Sequence, residues 1–325
     1  MGDTVLATAV LPFLAERHPG CTIEFVTQRP YHELFAGDPR VQRVHVYDRA
    51  AGALEQPPGP GPWDRVVDLQ NSARSRRLLR RIAPGAKPNR FRKQHLARAL
   101  LLVLRVNTYR RGEDVVSRYL RAAGWTGRTN ESYFPKVTVA PEALKRGLQT
   151  CPGLQGPGPA LALAPFASWR NKTWPIERYA AVARHFLGKG WSVAVFGGPE
   201  DRPDAERLCG TLGTRALCAA GRTPLSQTAA LLSRCRAALG NDTGLSHLAR
   251  AVGVPTAVVY GATTWHFGFF PSGRPAFRTL DTALFCRPCH AHGGDFCWRG
   301  GRPCLTRVTE AEAARALEAL AEANA

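Results

Sequence analysis

The chain holds 325 residues, with 44 Lys plus Arg against 25 Asp plus Glu, a formal net charge of +19 and 44% hydrophobic residues. That composition fits a globular protein of one large or two ordinary domains, and excludes collagen-like, coiled-coil and disordered chains. The apolar run at residues 99–104 is far too short to cross a bilayer, and no secretory signal opens the chain, so the reading is a cytoplasmic protein with mostly reduced cysteines.

Residues 4–17 crowd apolar side chains on one side and are stopped by His18-Pro19-Gly20, which predicts a helix. Residues 22–27 alternate and are β-branched, so they read as a strand, as do 41–47 and 65–69 beyond a Pro/Gly-rich loop at 56–62. Residues 92–124 read as helical throughout. The charge is concentrated here: residues 65–128 hold 17 Lys or Arg and three acids, and the densest part is Arg74, Arg76, Arg77, Arg80 and Arg81. Such a stretch is either a solvated helix face or an anion-binding surface. Stacking aromatics between residues 65 and 110 are limited to Phe91 and Tyr109, which argues against a single-strand nucleic-acid channel.

Residues 151–159 hold three prolines and three glycines and read as a linker, giving domains at 1–150 and 151–308 with a terminal helix at 309–325. Past the linker, strands at 160–164, 192–196, 237–239 and 256–260 alternate with helices at 175–188, 225–233 and 244–252. Strand–helix alternation in both halves predicts an α/β protein with largely parallel sheets.

Three turns of the second half sit where an open α/β sheet collects ligands, at the carboxyl edge of its strands. The first is Gly240-Asn241-Asp242-Thr243-Gly244-Leu245-Ser246-His247, whose glycines permit a tight turn and whose helix start favours an anion. Asp242 would repel a bare phosphate and suits hydroxyl or ammonium partners; a plain capped βα turn is the alternative. The second is Ser168 to Pro175, where Lys172 can neutralise a phosphate and Ser168 can donate to one, while Trp174 suits packing. The third is Gly197-Gly198-Pro199-Glu200-Asp201, where a carboxylate can chelate ribose hydroxyls or simply open a helix.

In this order and spacing the chain resembles the ADP-heptose:lipopolysaccharide heptosyltransferases, glycosyltransferase family 9. The family's Lys-x-Trp-Pro is Lys172-Thr173-Trp174-Pro175, its Gly-x-Asp-Thr/Ser-Gly-x-x-His is Gly240 to His247, and Gly2-Asp3 and Asp68-Leu69-Gln70-Asn71-Ser72 match segments of its N-terminal domain. The resemblance implies a GT-B fold of two Rossmann-like domains facing a cleft, with the C-terminal helix packing back. It implies an inverting transfer of heptose from ADP-heptose to the acidic lipopolysaccharide inner core, at the cytoplasmic face of the inner membrane. Ser168, Lys172 and the backbone of Thr243, Gly244, Leu245, Ser246 and His247 would hold the ADP phosphates. Asp242 would meet heptose hydroxyls or order the loop, Glu200 or Asp201 the ribose, with Glu200 preferred, and Asp3 would be the base. The basic arginines from Arg74 to Arg81 would hold the acceptor or the membrane surface. No Asp-x-Asp metal motif is present, which suits chemistry without a cofactor.

Two departures stand out. The family's Gly-Asp follows a central strand that is missing before Gly2, which suggests an upstream start; and the loop after the last strand reads Gly261-Ala262-Thr263-Thr264-Trp265-His266 in place of Gly-Pro-Thr. Separately, Cys286, Cys289, Cys297 and Cys304 have spacing that can reach a tetrahedral structural zinc, with free thiols as the alternative. A nucleic-acid-binding protein with a zinc element would explain charge and cysteines but not the Ser168, Lys172 and Asp242 turns. A non-catalytic sugar-nucleotide binder of the same fold is the third reading.

Overall fold

The computed structural model describes residues 1–56, 58, 63–109, 113–127, 130, 132–269 and 276–323. Most of the Pro/Gly-rich loop at 56–62, and Arg110, Arg111 and Arg128 of the basic stretch, lie outside the described residues.

The first half opens with α1 (Gly2–Ala7) and α2 (Val10–Arg17) where one helix was expected. Pro12 has no N–H to give the Thr8 carbonyl, and the Thr8 hydroxyl donates to Val5 O at 2.7 Å, so the chain turns at Thr8-Ala9. β1 (Ile23–Thr27) pairs in parallel with β2 (Val41–Asp48), which pairs antiparallel with the short β3 (Ala53–Leu54). β4 (Val67–Asp68) and β5 (Asn89–Arg90) form a separate parallel pair, and among the described residues no strand joins the two sheets.

α3 (Ala73–Ile82) is opened by Ser72, whose hydroxyl accepts from Ser75 N at 3.1 Å. The helix expected over 92–124 is two: α4 (His95–Val103) and α5 (Val115–Ala123). Arg105 takes a left-handed φ of 60° just past α4, and the Asp114 carboxylate caps α5 by accepting from Ser117 N at 2.6 Å. α6 (Pro141–Thr150) then carries the chain across to the second half.

The second half is one sheet of six parallel strands. β6 (Ala160–Ala164), β7 (Ser192–Val195), β8 (Ala216–Cys218), β9 (Ala237–Asn241), β10 (Thr256–Val259) and β11 (Phe277–Leu280) lie in the order β8-β7-β6-β9-β10-β11. The chain runs outward from β6 to one edge, returns, and runs outward from β9 to the other, so the topological switch point lies between β6 and β9. The short edge strands β8 and β11 had no clear period in the sequence.

α7 (Ile176–Gly188) and α8 (Arg202–Leu212) follow β6 and β7; α9 (Leu225–Leu232) and α10 (Gly244–Ala251) flank β9. α11 (Pro303–Thr306) is a single turn before α12 (Glu310–Glu322), which starts with a Thr309–Glu312 capping box and buries Ala313, Leu317 and Leu320 in the core formed by α7 and this sheet. The other face of the sheet is not self-contained. Val5, Leu11, Leu34 and Phe35 of the first half share a core with Leu231 and Leu248 of the second, and α6 packs on α9. No helix among the described residues is long and apolar enough to cross a membrane.

Candidate active site

The two loops that meet at the switch point are joined by one side chain. Asn241 ends β9, is fully buried, donates from Nδ2 to Pro165 O at 2.8 Å and accepts on Oδ1 from Trp174 N at 3.0 Å. It therefore fixes the β6–α7 loop, which carries Ser168 and Lys172, against the β9–α10 loop, which carries Asp242 to His247. Trp174 itself is fully buried, stacks edge-on to Tyr179 and donates to Val308 O, so its role is packing.

Across that junction Lys172 Nζ meets Asp242 Oδ2 at 2.9 Å, both side chains nearly buried. Thr263 Oγ1 donates to the same oxygen at 2.7 Å. Thr263 comes from the loop where the sequence departs from the family pattern, so that loop does touch the site. Ser246 Oγ donates to Asn241 O at 2.6 Å and closes the turn into α10. A Cβ at Gly240 would collide with that Ser246 hydroxyl, so the approach of turn and strand requires glycine there. Thr243, the N-cap residue of α10, keeps a buried Oγ1 without a hydrogen-bond partner, and the neighbouring Asn171 Nδ2 is likewise buried and unpartnered. Orphaned donors beside a lysine and a helix N-terminus are what a phosphate-bearing ligand would satisfy.

His247 lies buried in the first turns of α10, and burial pushes its imidazole down to about 4, so it is neutral near pH 7. On the adjoining loop, Asp201 accepts from Gly198 N at 2.8 Å and is occupied with the turn, whereas Glu200 stands exposed past the carboxyl end of β7. Ser168 is exposed past the end of β6.

The first half brings Asp3 to this place. The start of α1 abuts the start of α10: a Cβ at Gly2 would lie 3.0 Å from the His247 ring, and Met1 packs on Gly244. Asp3 is exposed at that seam and accepts from Tyr119 Oη at 3.5 Å. Tyr119 is buried, and burial together with the Asp3 carboxylate pushes its phenol well above the ordinary range. Asp3 also lines a cleft of about 740 Å³ between β1, β2, β4, α3 and α4. Of the arginines from Arg74 to Arg81, only Arg74 lines this cleft, beside Leu78, Leu79 and Ile82; Arg76, Arg77, Arg80 and Arg81 are exposed on the outer side of α3.

The cysteine-rich loop roofs the site. Asn171 N donates to Gly294 O at 3.0 Å, Gly294 N donates back to Asn171 Oδ1 at 2.7 Å, and Arg287 Nε donates to Gly261 O at 2.7 Å. These bonds brace the Lys172 and Thr263 loops. His292 of the same loop reaches the cleft and lies 3.4 Å from Arg98 of α4. Cys286, Cys289, Cys297 and Cys304 are free thiols, and burial, helped by the other three, pushes Cys289 up to about 11. Among the described residues no group of three or more His, Cys, Asp or Glu is placed to hold a metal.

Sequence reading thus singled out Asp3, Lys172, Asp242 and the α10 turn, which the fold does bring together. It missed Asn241, Thr263, Asn171, Arg98 and His292. Asn241 and Asn171 lay inside turns the sequence did single out, as amides beside Asp242 and Lys172; Thr263, Arg98 and His292 meet the site only through tertiary contacts.

The model of glycosyltransferase family 9 (heptosyltransferase) matches residues 57–276. The chain is 26% identical over 301 residues to lipooligosaccharide heptosyltransferase 2 of Haemophilus influenzae, covering 81% of each chain. It is similar in structure to a glycosyl transferase of family 9 from Veillonella parvula, with a TM-score of 0.77, 21% identity and coverage of 99% and 95%. It is also similar to ADP-heptose lps heptosyltransferase II of E. coli, with a TM-score of 0.72, 20% identity and coverage of 98% and 95%.

Proposed function

The chain belongs to glycosyltransferase family 9, the heptosyltransferases, with the GT-B architecture, and we propose that it moves L-glycero-D-manno-heptose from ADP-heptose to the lipopolysaccharide inner core, on Kdo or a first heptose. The observation that carries this reading is the seam between α1 and α10. There Asp3 of one half lies next to the start of α10 in the other, which supports a base and a phosphate site meeting at this seam.

In the proposed reaction the ADP diphosphate lies on the N-terminus of α10, with the Thr243 hydroxyl and Lys172 as donors and Ser168 at its edge. Lys172 then exchanges part of its contact with Asp242 for phosphate, and Asp242 turns to the heptose hydroxyls. Glu200 takes the ribose. Asp3 accepts the proton of the acceptor hydroxyl as that oxygen attacks the anomeric carbon, and the bond from that carbon to the phosphate oxygen breaks with its electron pair leaving on ADP. Attack from the Asp3 side, opposite the phosphate, inverts the anomeric configuration. General base catalysis and electrostatic stabilisation of the leaving group then come from different halves. In the acceptor cleft Arg74 meets the acidic core sugar directly, and Arg76, Arg77, Arg80 and Arg81 supply longer-range attraction from outside it. The enzyme works at the cytoplasmic face of the inner membrane, where such an acceptor is anchored.

The test is incubation with ADP-heptose and defined truncated lipopolysaccharides, with mass analysis of the product and NMR of the new anomeric centre. A single heptose added with inversion is expected on a Kdo- or heptose-terminated acceptor. Failure on every such acceptor, or retention of configuration, overturns the reading.

A further inference from the structure

Among the described residues, seven of the ten exposed large apolar side chains fall in two short segments. Leu96, Val103, Leu104 and Val106, on α4 and just past it, are each half to three-quarters exposed. Phe285, Phe296 and Trp298, on the cysteine-rich loop, are between 59% and 75% exposed. A soluble protein scatters such residues singly; a cluster marks a surface that something covers.

The two segments, one from each half, are joined by two side-chain contacts. Arg105 Nη1, at the end of α4, donates to Pro288 O of the cysteine-rich loop, and Arg98 Nη1 lies 3.4 Å from His292 Nε2. Within the loop, Phe285 and Trp298 pack edge-to-face at 6.0 Å, and the Arg299 guanidinium lies 4.9 Å over Phe285. Helical spacing sorts the residues of α4 into two faces. Leu96, Leu100, Val103 and Leu104 follow i, i+4, i+7 and i+8 and share one side, while His95 and Arg98 occupy the opposite side and line the cleft. α4 buries only Leu101, so its apolar stripe is not held by the core.

The surroundings are cationic. Residues 86–109 and 284–302 together hold nine Lys or Arg and one acid, Asp295. Arg105, between Leu104 and Val106, and Arg299, over the Phe285 and Trp298 rings, are exposed beside the apolar residues. Two copies of this face would bring like charges together, whereas an anionic bilayer would satisfy both properties: headgroups for the arginines, and the acyl boundary for Leu, Phe and Trp.

We propose that the stripe of α4 and the aromatic tip of the cysteine-rich loop together dock the protein on an anionic phospholipid bilayer. Docking inserts Leu104, Phe296 and Trp298 at the headgroup boundary and holds the cleft face of α4, with Arg98 and His292, just above the lipid. An acceptor anchored in that bilayer then enters the cleft from below. This deepens the reading of a lipid-anchored acceptor and rests on it for why a membrane is met; the docking itself is measured with neither donor nor acceptor, so the two can fail separately.

The experiment is co-sedimentation of the full chain with vesicles of phosphatidylcholine alone, or with about one third phosphatidylglycerol. Roughly tenfold stronger binding to the anionic vesicles is expected, weakened by salt. The double variant Leu104→Ser, Trp298→Ser should lose about tenfold of that binding while its affinity for ADP stays unchanged, because both residues lie outside the donor loops. Quenching of tryptophan emission by brominated anionic lipid, present in the parent chain and reduced in Trp298→Phe, reports insertion without depending on the polar variants. Equal binding to neutral and anionic vesicles, absence of quenching, or binding indifferent to the double variant overturns the proposal. So does a concentration-dependent dimer in solution that the double variant abolishes, since that would assign the face to a second copy.

Discussion

The two α/β halves handle their sheets differently. The second half gathers six parallel strands into one sheet with both faces covered, and its β6–α7 and β9–α10 loops are locked by Asn241, Ser246 and the Lys172–Asp242 pair. The first half divides its strands between two small sheets, and α3 buries no residue at all. A parallel sheet is stable when both faces are packed. Where the strands are few, apolar side chains are left over, and in this protein they line the cleft beside Asp3, as Leu78, Leu79 and Ile82 do, or face outward on α4. The loops of the second half are thus locked by their own contacts, and the first half leaves apolar and cationic surface uncovered.

Substitutions can break this contrast or sharpen it. The largest effect is expected at the seam. Asp3→Ala should lower turnover by about a thousandfold, a usual loss for a missing general base, with ADP affinity nearly unchanged by calorimetry. Unaltered turnover would remove Asp3 from the mechanism.

Stability should separate the halves next. Trp174→Ala, in the core of the second half, should cost about 3–5 kcal/mol in denaturant unfolding, and Leu78→Ala on the cleft face of α3 less than about 1 kcal/mol. Equal costs would mean that the first half is packed as tightly as the second.

Acid should weaken the second half through His247. Its folded imidazole is pushed down to about 4 from an ordinary 6.5, so below pH 6.5 the unfolded chain takes up a proton that the folded chain refuses. Stability from this group is complete above pH 6.5 and is lost as the pH falls to about 4, on the order of 3 kcal/mol in all. Unfolding free energy measured across that window should slope upward with pH, and His247→Gln should flatten it.

Lys172→Ala should weaken ADP by roughly tenfold to a hundredfold, since it removes a cation from a nearly buried anion site and leaves Asp242 without its partner. Calorimetry showing intact ADP affinity would move the phosphate elsewhere. The smallest effects belong to the outer face of α3. Changing Arg76, Arg77, Arg80 and Arg81 together to Gln should raise acceptor KM only a few-fold and flatten its salt dependence, whereas Arg74→Gln alone should raise KM at every salt concentration. Steady-state titrations of the acceptor at two ionic strengths distinguish the two.

Local rules read well where local physics decides. The four inner strands of the second half were legible because each is a short apolar run bounded by turn residues, whereas the turn after β9 stood out through its resemblance to the family motif, since its spacing alone suits a capped βα turn equally well. The breaks were harder. Pro12 cost the first helix its continuity, and Arg105 and Asp114 divided the helix expected over residues 92–124, because a periodic apolar pattern says nothing of a left-handed residue or a cap within it. The cysteine spacing left a structural zinc and free thiols both open, and gave no sign that the loop braces Asn171 and Gly261.

Of the charge that opened the reading, the sequence determined the amount and the address: a net +19, concentrated between residues 65 and 128. Which arginines face a ligand, which face solvent and which ring an apolar surface was decided only by the fold. Direction around a helix follows from the period, but what lies beyond each face depends on contacts between residues distant in the chain. Arg98 meets His292 across 194 positions and Arg105 reaches Pro288 across 183, and no local pattern encodes either.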